Sequence, residues 1–434
     1  MTTVTAGGGA ATGTIETRHS WLVAWSALGI LSISFGAPLI TIVALKPIAA
    51  EFGNIRSVPA LSYSLASLGS AVGGIAMGRV AEHIGVRWTV IFGALMIAGG
   101  LALSSLGGRI DLYLGHGLLM GLLGNAGITA PLYVYVARWF DRRRGAALAL
   151  IASGQAAAGT IWAPLFGHMI EWFGWRHTMQ FYAVFAIVAI IPVACLVFRA
   201  LPRGASAAEG RHEPIPGALV LGLRPRTALG FLCLASFLCC VPMAMPQGHL
   251  VAFCSDIAIP VTRGSAMLSV LLACAFIGRQ FWGFVADRIE GLRTVLAGSA
   301  CQIITMTGFL LTQDEAGLFA VSASFGLGFS GVVPAYVLAV RELFPAREAS
   351  WRVPAVLFCS GSGMAAGGWL AGAIYDYVGF YAAAFATGIF FNLANLTIIG
   401  VLAFRQSRRR ITRDRISLIT RVQDDRNSRS TESV

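Results

Sequence analysis

Twelve apolar stretches fill most of this 434-residue chain, and each is long enough to cross a bilayer. A hydrocarbon layer roughly 30 Å thick requires about 20 helical residues. The predicted spans are 21–45, 59–79, 88–107, 112–137, 145–167, 178–199, 227–253, 265–286, 293–312, 316–340, 352–374 and 380–404. A chain with so many long apolar segments cannot bury them all in a water-soluble core. The pattern therefore predicts an all-α membrane protein with twelve transmembrane helices.

Composition and charge placement agree with this prediction. Hydrophobic residues make up 56% of the chain and charged residues 12%, whereas soluble domains carry roughly 25% charged residues. Of the 32 lysines and arginines, 26 fall in the tails and alternate connections of one side, and five fall in connections of the other. The positive-inside rule then predicts that both termini are cytoplasmic and that the protein lies in the cell inner membrane. The net charge of +12 has this origin and does not indicate a nucleic-acid partner.

The chain also repeats itself at an offset of 205 residues. Segment 78–87 recurs at 283–293, and further pairs at the same offset are Gly167 with Gly372, Glu171 with Asp376 and Gly174 with Gly379. A duplicated six-helix membrane unit is typical of transporters. The predicted organisation is a cytoplasmic N-terminal tail at 1–20, a six-helix bundle at 21–199, a cytoplasmic linker at 200–226, a second bundle at 227–404 and a basic cytoplasmic tail at 405–434.

No motif for catalysis, metal binding or nucleotide binding is found. The eight cysteines lie in or beside apolar spans without CxxC spacing, so buried hydrophobic side chains are the expected role. The seven histidines have no metal-ligand spacing, and Lys46, the only lysine, is not part of a phosphate-binding loop. We expect no cofactor, no metal, no enzymatic activity and no ATP-driven pumping.

The two repeated loops resemble the signature of the major facilitator superfamily, which lies between helices 2 and 3 and between helices 8 and 9. The resemblance covers residues 20–405 and implies two pseudo-symmetric six-helix bundles around a central cavity, working by alternating access. It also implies that the acidic loop residue, Glu82 or Asp287, meets the N-terminus of a facing helix and latches one gate. The first copy has Glu82 for Asp and His83 for Arg, which favours a weaker or pH-sensitive latch. The candidate gating residues are Gly78, Glu82, Gly85, Arg87, Gly283, Asp287, Arg288 and Arg293, with simple positive-inside loop charges as the alternative.

Arg279 is the one strongly basic residue inside a predicted span. Placing an arginine there costs about 2.5–3.5 kcal/mol on insertion scales, so it requires a wet cavity and an anionic partner. No Asp or Glu lies within any predicted span, and the missing counter-ion is most simply the substrate. The planar guanidinium matches a carboxylate with two parallel hydrogen bonds. The alternative is a structural arginine that donates to carbonyls at a helix end.

Within the superfamily, the chain is most similar to the monocarboxylate and oxalate/formate porter group. The similarity rests on Pro38 with Lys46-Pro47, on Arg138-Trp139-Phe140 with Arg143-Arg144-Gly145, and on Gly278-Arg279 followed by Gly283. It implies that Arg279 matches the helix 8 arginine that binds substrate in that group. Two positions depart from the pattern of the animal porters: Ala275 stands in place of Asp, and Leu39 in place of Lys. Proton coupling by that route is therefore in doubt.

Other polar residues are candidates to line the cavity. Asn125, Thr129 and Tyr133 are spaced by four and so share one face of helix 4. Further candidates for substrate contact are Gln155, Gln247, His249, Tyr336 and Ser360. Each of these could instead form a hydrogen bond between helices.

The sequence thus predicts a secondary active or facilitative transporter of a small organic anion, most simply a monocarboxylate. Expected partners are that anion and membrane lipids, with the monomer as the functional unit. An efflux transporter of the same fold and a transporter-like receptor remain as alternatives. Because the spans contain no carboxylate, we expect anion exchange or facilitated diffusion, with any proton entering through His249 or with the substrate. Coupling through Asp256, at the outer end of helix 7, is the competing hypothesis.

Overall fold

The computed structural model of the protein describes residues 16–140, 143–198 and 220–431, and their only regular secondary structure is helical. The first half contains α1 (Arg18–Val43), α2 (Leu45–Glu51), α3 (Ser57–Ile84), α4 (Val86–Ser104), α5 (Arg109–Tyr113), a π-helix (Leu114–Asn125), α6 (Ala126–Ala137), α7 (Arg144–Ala152) and α8 (Gly154–Val197). The second half contains α9 (Pro225–Asp256), α10 (Val261–Ile289), α11 (Gly291–Leu311), α12 (Glu315–Phe329), α13 (Val332–Leu343), α14 (Ala346–Val378) and α15 (Tyr381–Thr431). The predicted all-α class is confirmed. Most of the predicted linker, residues 200–219 of 200–226, lies outside the described residues.

Within the described part of the chain, 11 helical stretches are long and apolar enough to cross a membrane. One of them, Ala146–Val197, has 52 residues, and its backbone leaves the helical conformation at Gly174 (φ 77°, ψ 165°). The sequence places the fifth and sixth spans on either side of this glycine. A length of 52 residues exceeds twice the ~20 that one crossing requires. The C-terminal helix α15 also continues to Thr431, well past the predicted end of its span at 404.

Large apolar side chains are exposed on the outside of the bundle. Those more than 60% exposed within the helices include Ile75, Val184, Leu196, Ile277, Ile304 and Phe390. A helix that spans a bilayer satisfies its backbone polar groups internally. Its outward-facing side chains can therefore be large and apolar without a protein partner. This exposure agrees with helices that are long and apolar enough to cross a membrane.

The sequence repeat is also a repeat of backbone conformation. Gly85, between α3 and α4, has φ 87° and ψ 150°, and Glu290, which lies 205 residues later between α10 and α11, has φ 72° and ψ 163°. Gly174 and Gly379 likewise both have positive φ. Glycine adopts these angles without steric cost, whereas Glu290 adopts them under strain. Both signature loops therefore turn sharply at equivalent positions.

The fourth and tenth predicted spans are irregular at equivalent positions as well. The π-helix of the first half gives way to α6 after Asn125. In the second half, α12 ends before Ser330, the residue at the matching offset, and α13 begins two residues later. Short π-helical segments and helix breaks often mark functional sites, because they free backbone groups and redirect side chains. Neither irregularity is apparent from the apolar pattern of the sequence.

The two halves contact each other through α3 against α14 and α8 against α10. Small residues permit the close approach: a side-chain carbon added at Gly159 would collide with Leu272, and one added at Gly372 would meet the backbone of Ser57 at 3.0 Å. The hydroxyl of Ser269 on α10 also donates to the Thr160 carbonyl of α8 at 2.6 Å. We call the end with connections 52–56, 257–260 and 379–380 the clamp end, and the end with the two signature loops the loop end.

Candidate functional site

A cavity of about 170 Å³ lies between the two halves. Its lining residues come from α1, α3, the π-helix, α8, α9, α10 and α14; they are Phe35, Pro38, Leu39, Ile42, Tyr63, Ala66, Ser67, Ser70, Asn125, Gln155, Gln247, Leu272, Gly361 and Met364. Three of the predicted substrate-binding residues, Asn125, Gln155 and Gln247, are among them. Most other lining side chains are apolar or aromatic, and the sequence analysis did not single them out as site residues. The cavity thus combines an apolar wall with a few polar groups, as ligand sites commonly do.

The polar cavity residues differ in how far protein partners satisfy them. The Asn125 Oδ1 accepts a hydrogen bond from the Ser34 hydroxyl at 2.7 Å, which ties the end of the π-helix to α1. The Gln247 side chain donates to the Met243 carbonyl of its own helix at 2.9 Å. Gln155, by contrast, is exposed toward the cavity. Its amide is the most available of the three for a ligand.

Arg279 lies on α10 two turns from the cavity residue Leu272, toward the loop end, which corresponds to roughly 10 Å along the helix. Its Nη1 donates to the Ala152 carbonyl at 2.9 Å. Ala152 is the last residue of α7, where backbone carbonyls lack partners from a following turn. This hydrogen bond to a helix-end carbonyl is the structural alternative that the sequence allows for Arg279. The buried Nε of the same guanidinium has no hydrogen-bond partner among the described residues.

Among the described residues, the surroundings of Arg279 contain polar groups but no carboxylate partner. Tyr133 on α6 is close enough to interact electrostatically with Arg279. The buried Thr129 hydroxyl, one turn earlier on α6, has no hydrogen-bond partner in the described part of the chain. None of the ion pairs among the described residues includes Arg279. A half-satisfied guanidinium is a suitable receptor for an anion.

His249 does not line the central cavity but sits next to it, toward the clamp end. It borders a small second cavity of about 10 Å³ together with Thr41, Tyr63 and Gly368. Its Nε2 is 2.7 Å from the Gly368 carbonyl, and its Nδ1 is 3.0 Å from the Tyr381 hydroxyl. Both ring nitrogens therefore already have protein partners.

Tyr336 and Ser360 also have partners, and these lie within the second half. The Tyr336 hydroxyl is fully buried and donates to the Asn395 Oδ1 at 2.6 Å. The Ser360 hydroxyl shares a short hydrogen bond with Ser236 and donates to the Val356 carbonyl at 3.1 Å. Both residues thus form the bonds between or within helices that the sequence analysis gave as the alternative to substrate contact, and neither lines the cavity.

A cluster of charged residues closes the clamp end. Arg56, at the start of α3, donates two hydrogen bonds to the carboxylate of Asp256, at 2.6 Å from Nη1 and 2.5 Å from Nη2. Lys46 lies 3.4 Å from the same carboxylate. The Arg56 guanidinium also lies 3.7 Å from the centroid of the Tyr375 ring. We call these contacts, together with those of Asp376, the clamp, because Arg56 and Lys46 belong to the first half and their partners to the second.

Asp376 completes the clamp at the N-terminus of α3. Its two carboxylate oxygens accept the backbone N–H groups of Arg56 at 2.7 Å and Ser57 at 2.8 Å. A carboxylate at a helix N-terminus satisfies unpaired donors and opposes the positive end of the helix dipole. Burial of Arg56 opposes its charge and is the largest single effect, but Asp256 and Tyr381 together outweigh it and raise the pKa of the guanidinium. From the sequence, Arg56 is predicted only as a charge in a connection. Its position shortly before an apolar span was the one sign of a role at a helix start.

The candidate gating residues at the loop end make no such closure. The Glu82 side chain is exposed and has no hydrogen bond or ion pair with any described residue, and the side chain of Asp287 lies outside the described part. Gly78 and Gly283 both face open space, while Gly85 forms the turn described above. Among the basic residues, Arg288 lies 4.0 Å from the centroid of Phe284, Arg87 lies 5.7 Å from Trp88, and Arg293 donates to Ser407 at 3.1 Å. The predicted latch of Glu82 is thus not engaged in this conformation.

Comparison with known proteins agrees with this architecture. The family profile of the Major Facilitator Superfamily matches residues 21–350. Monocarboxylate transporter 13 of Bos taurus is 25% identical over 391 residues, covering 87% of this chain and 88% of that protein. An MFS-type transporter of Gibberella moniliformis is 26% identical over 273 residues, which span 62% of this chain and only 64% of the fungal protein.

A solved structure shares the fold at low sequence identity. It is a bacterial homologue of the human lysosomal transporter Spinster in an inward-facing, unoccupied conformation, with a TM-score of 0.66, 15% identity, and coverage of 90% of this chain and 96% of the other. The fold, the repeated signature loops and the matched family profile agree. This chain is a multi-pass membrane transporter that belongs to the Major Facilitator Superfamily.

Proposed function

We propose that this protein is a secondary transporter of small organic anions, with monocarboxylates as the substrate class, and that Arg279 binds the carboxylate. The observation that carries the proposal is the Arg279 guanidinium within α10, which has a buried, unpartnered Nε and no carboxylate partner among the described residues. A substrate carboxylate would supply the missing acceptor and the missing negative charge.

The same proposal covers topology and transport cycle. Twelve crossings follow if the 52-residue stretch Ala146–Val197 crosses twice by turning at Gly174, with both termini cytoplasmic in the inner membrane and the monomer as the functional unit. The engaged clamp and the disengaged Glu82 are consistent with an inward-facing state of an alternating-access cycle. Since Asp256 is a clamp residue at a helix end, exchange or facilitated diffusion suits the central site better than coupling through a buried carboxylate.

Uptake into proteoliposomes tests the role of Arg279. The substrates are radiolabelled acetate, pyruvate, lactate and benzoate, each with and without the same anion inside. Arg279→Lys keeps the charge but loses the planar fork, so KM should rise at least about tenfold, and Arg279→Gln should abolish saturable uptake. The matched control is Arg263→Gln, which removes an exposed arginine from the same helix α10 and should leave uptake unchanged.

The alternative functions give different results in the same vesicles. An efflux transporter would carry neutral or cationic apolar compounds and would tolerate Arg279→Gln. A receptor would bind an acid without moving it, so binding would be saturable while uptake stayed at the level of empty vesicles. Undiminished carboxylate uptake in both Arg279 variants would refute the proposed binding role.

A further inference from the structure

The hydrogen bonds of His249 fix its protonation in the observed conformation. The Gly368 carbonyl can only accept, so the Nε2 of His249, 2.7 Å away, must carry a hydrogen and donate. With both His249 and Tyr381 buried, the Nδ1 is left as the acceptor of the Tyr381 O–H at 3.0 Å. The imidazole is then neutral and fully partnered. A second proton on Nδ1 would turn this acceptor into a donor, so the Tyr381 hydroxyl would have to stop donating to the ring and accept instead.

Tyr381 connects this histidine to the clamp. Its ring centroid lies 5.3 Å from that of His249 on one side, and on the other side the Arg56 Cζ lies 5.2 Å from the Tyr381 ring centroid. The same tyrosine interacts electrostatically with Arg56 and Asp256. One side chain therefore separates a titratable group from the cation that holds the two halves together.

Several other titratable or charged groups surround His249, on each helix that packs against it. They are Asp256 and Cys254 on α9, Tyr375 and Asp376 on α14, Tyr63 and Arg56 on or beside α3, Lys46 on α2, and His116, which is 2.6 Å from the α1 residue Thr41. In the closed clamp Asp256 accepts from the Arg56 guanidinium, and Asp376 accepts from the backbone N–H groups of Arg56 and Ser57. In the closed clamp Asp256 is therefore paired with a cation, and the nearby positive charge of Arg56 opposes the stabilisation that Asp376 would give an imidazolium.

Opening the clamp changes these surroundings. The small cavity beside His249, bordered by Tyr63 and Thr41 of the first half, has about the volume of one water molecule. Separation of the two halves would widen this space, admit solvent to the ring, and release Asp256 from the Arg56 guanidinium and Asp376 from the N-terminus of α3. Both changes favour the charged imidazole, because hydration and nearby carboxylates stabilise a cation.

We propose that His249 is a proton-binding site that controls the clamp, with Tyr381 transmitting its charge state to Arg56. Water at the clamp end supplies one proton to Nδ1 when the clamp is open, and the same proton returns to water before the clamp closes; no other bond forms or breaks. In the protonated state, the Tyr381 hydroxyl must accept from Nδ1 and turn its hydrogen away, and the added positive charge repels Arg56. Because binding linkage is reciprocal, acid must shift the equilibrium toward the open clamp.

This inference deepens the proposed function, since it assigns a trigger to one gate of the alternating-access cycle. It concerns conformation rather than substrate chemistry. A measurement without substrate can therefore fail while the Arg279 uptake experiment succeeds, and the converse also holds.

The test is a distance measurement across the clamp end as a function of pH. Nitroxide labels are placed at Ile110→Cys in the first half and Gln313→Cys in the second, both exposed and both at the clamp end, after the eight native cysteines are replaced. Pulsed electron paramagnetic resonance on protein in lipid nanodiscs, between pH 8 and pH 5.5, reports the open and closed populations. Two positive charges separated by about 10 Å at an effective dielectric constant of about 20 predict a roughly tenfold rise of the open-to-closed ratio in acid.

Two variants and one control make the result decisive. His249→Gln can still donate to Gly368 but cannot gain a charge, so the pH response should vanish. Tyr381→Phe keeps the ring beside Arg56 but removes the relaying hydroxyl, so the response should fall at least fivefold. His177→Gln, which removes an exposed histidine, should respond as the parent does. A parent whose distances do not change with pH, or a response that persists in either His249→Gln or Tyr381→Phe, would overturn the proposal.

Discussion

Replacing Asp256 by asparagine should open the clamp end. The substitution leaves Arg56, whose side chain is only 7% exposed, with no carboxylate for its two guanidinium hydrogen bonds. Removing one partner of a buried pair costs about 3–5 kcal/mol. Asp256 is itself 21% exposed and asparagine keeps one acceptor oxygen, so we expect about 2 kcal/mol. The closed state is destabilised by this amount, which should raise the open-to-closed ratio roughly 30-fold.

The assay is the reactivity of a single cysteine placed at Tyr63, a residue that lines both cavities. A membrane-impermeant maleimide added from the clamp side should label this cysteine faster in Asp256→Asn than in the parent. The matched control is Glu315→Gln, which breaks the exposed Arg263–Glu315 ion pair at the same end, where each partner is at least 45% exposed. Exposed pairs contribute roughly 0–1 kcal/mol, so the control should label at nearly the parent rate. Equal labelling of Asp256→Asn and Glu315→Gln would refute the clamp as the closing element.

Two further predictions concern stability. The hydrogen bonds of Arg176, and to a smaller extent that of Trp175, hold the pKa of Glu51 below its ordinary value of 4.5 against the opposing effect of burial. This stabilisation is present above about pH 4.5 and is lost as the pH falls through the lowered pKa. Arg176→Gln should therefore lower the free energy of unfolding at pH 6 by at most about 1 kcal/mol, which lowers the thermal midpoint slightly, and should flatten the decline of the midpoint between about pH 4.5 and 3; an unchanged decline would contradict this. Glu290→Gly relieves a backbone conformation that costs about 1–3 kcal/mol and should raise the midpoint measured by differential scanning fluorimetry, whereas a fall would show that the strain is smaller than the stabilisation from the interaction of Glu290.

The membrane fold could be predicted because its signals are local. Span length follows from the bilayer thickness, and the 205-residue offset follows from duplication, so the halves and their signature loops were visible in the sequence. The structure adds that the duplication extends to backbone geometry. Gly85 and Glu290 turn in the same way although one of them is not glycine. The π-helix before Asn125 was not predictable, because its apolar pattern does not differ from that of an ordinary α-helix.

The clamp could not be predicted because its partners are distant in sequence. Arg56 and Asp256 are 200 residues apart, and each resembles an ordinary loop charge until the two halves are packed together. The same limit applies to Arg279. Its isolation within an apolar span was evident, but its bond to the Ala152 carbonyl depends on where α7 ends. Asn125, Gln155 and Gln247 were recognised because polar residues in spans are rare, whereas the apolar cavity residues look like any lipid-facing or packing side chain.

Ligand-induced thermal stabilisation tests the central claim most directly. Purified protein in detergent is heated with benzoate or with benzamide, its neutral analogue of similar shape, and the comparison is repeated with Arg279→Gln. At 100 times its dissociation constant, a ligand adds about 2.7 kcal/mol to stability. We predict that benzoate raises the midpoint of the parent, that benzamide does not, and that Arg279→Gln responds to neither. Equal stabilisation of the parent and Arg279→Gln by benzoate, or of the parent by both compounds, would contradict carboxylate recognition by Arg279.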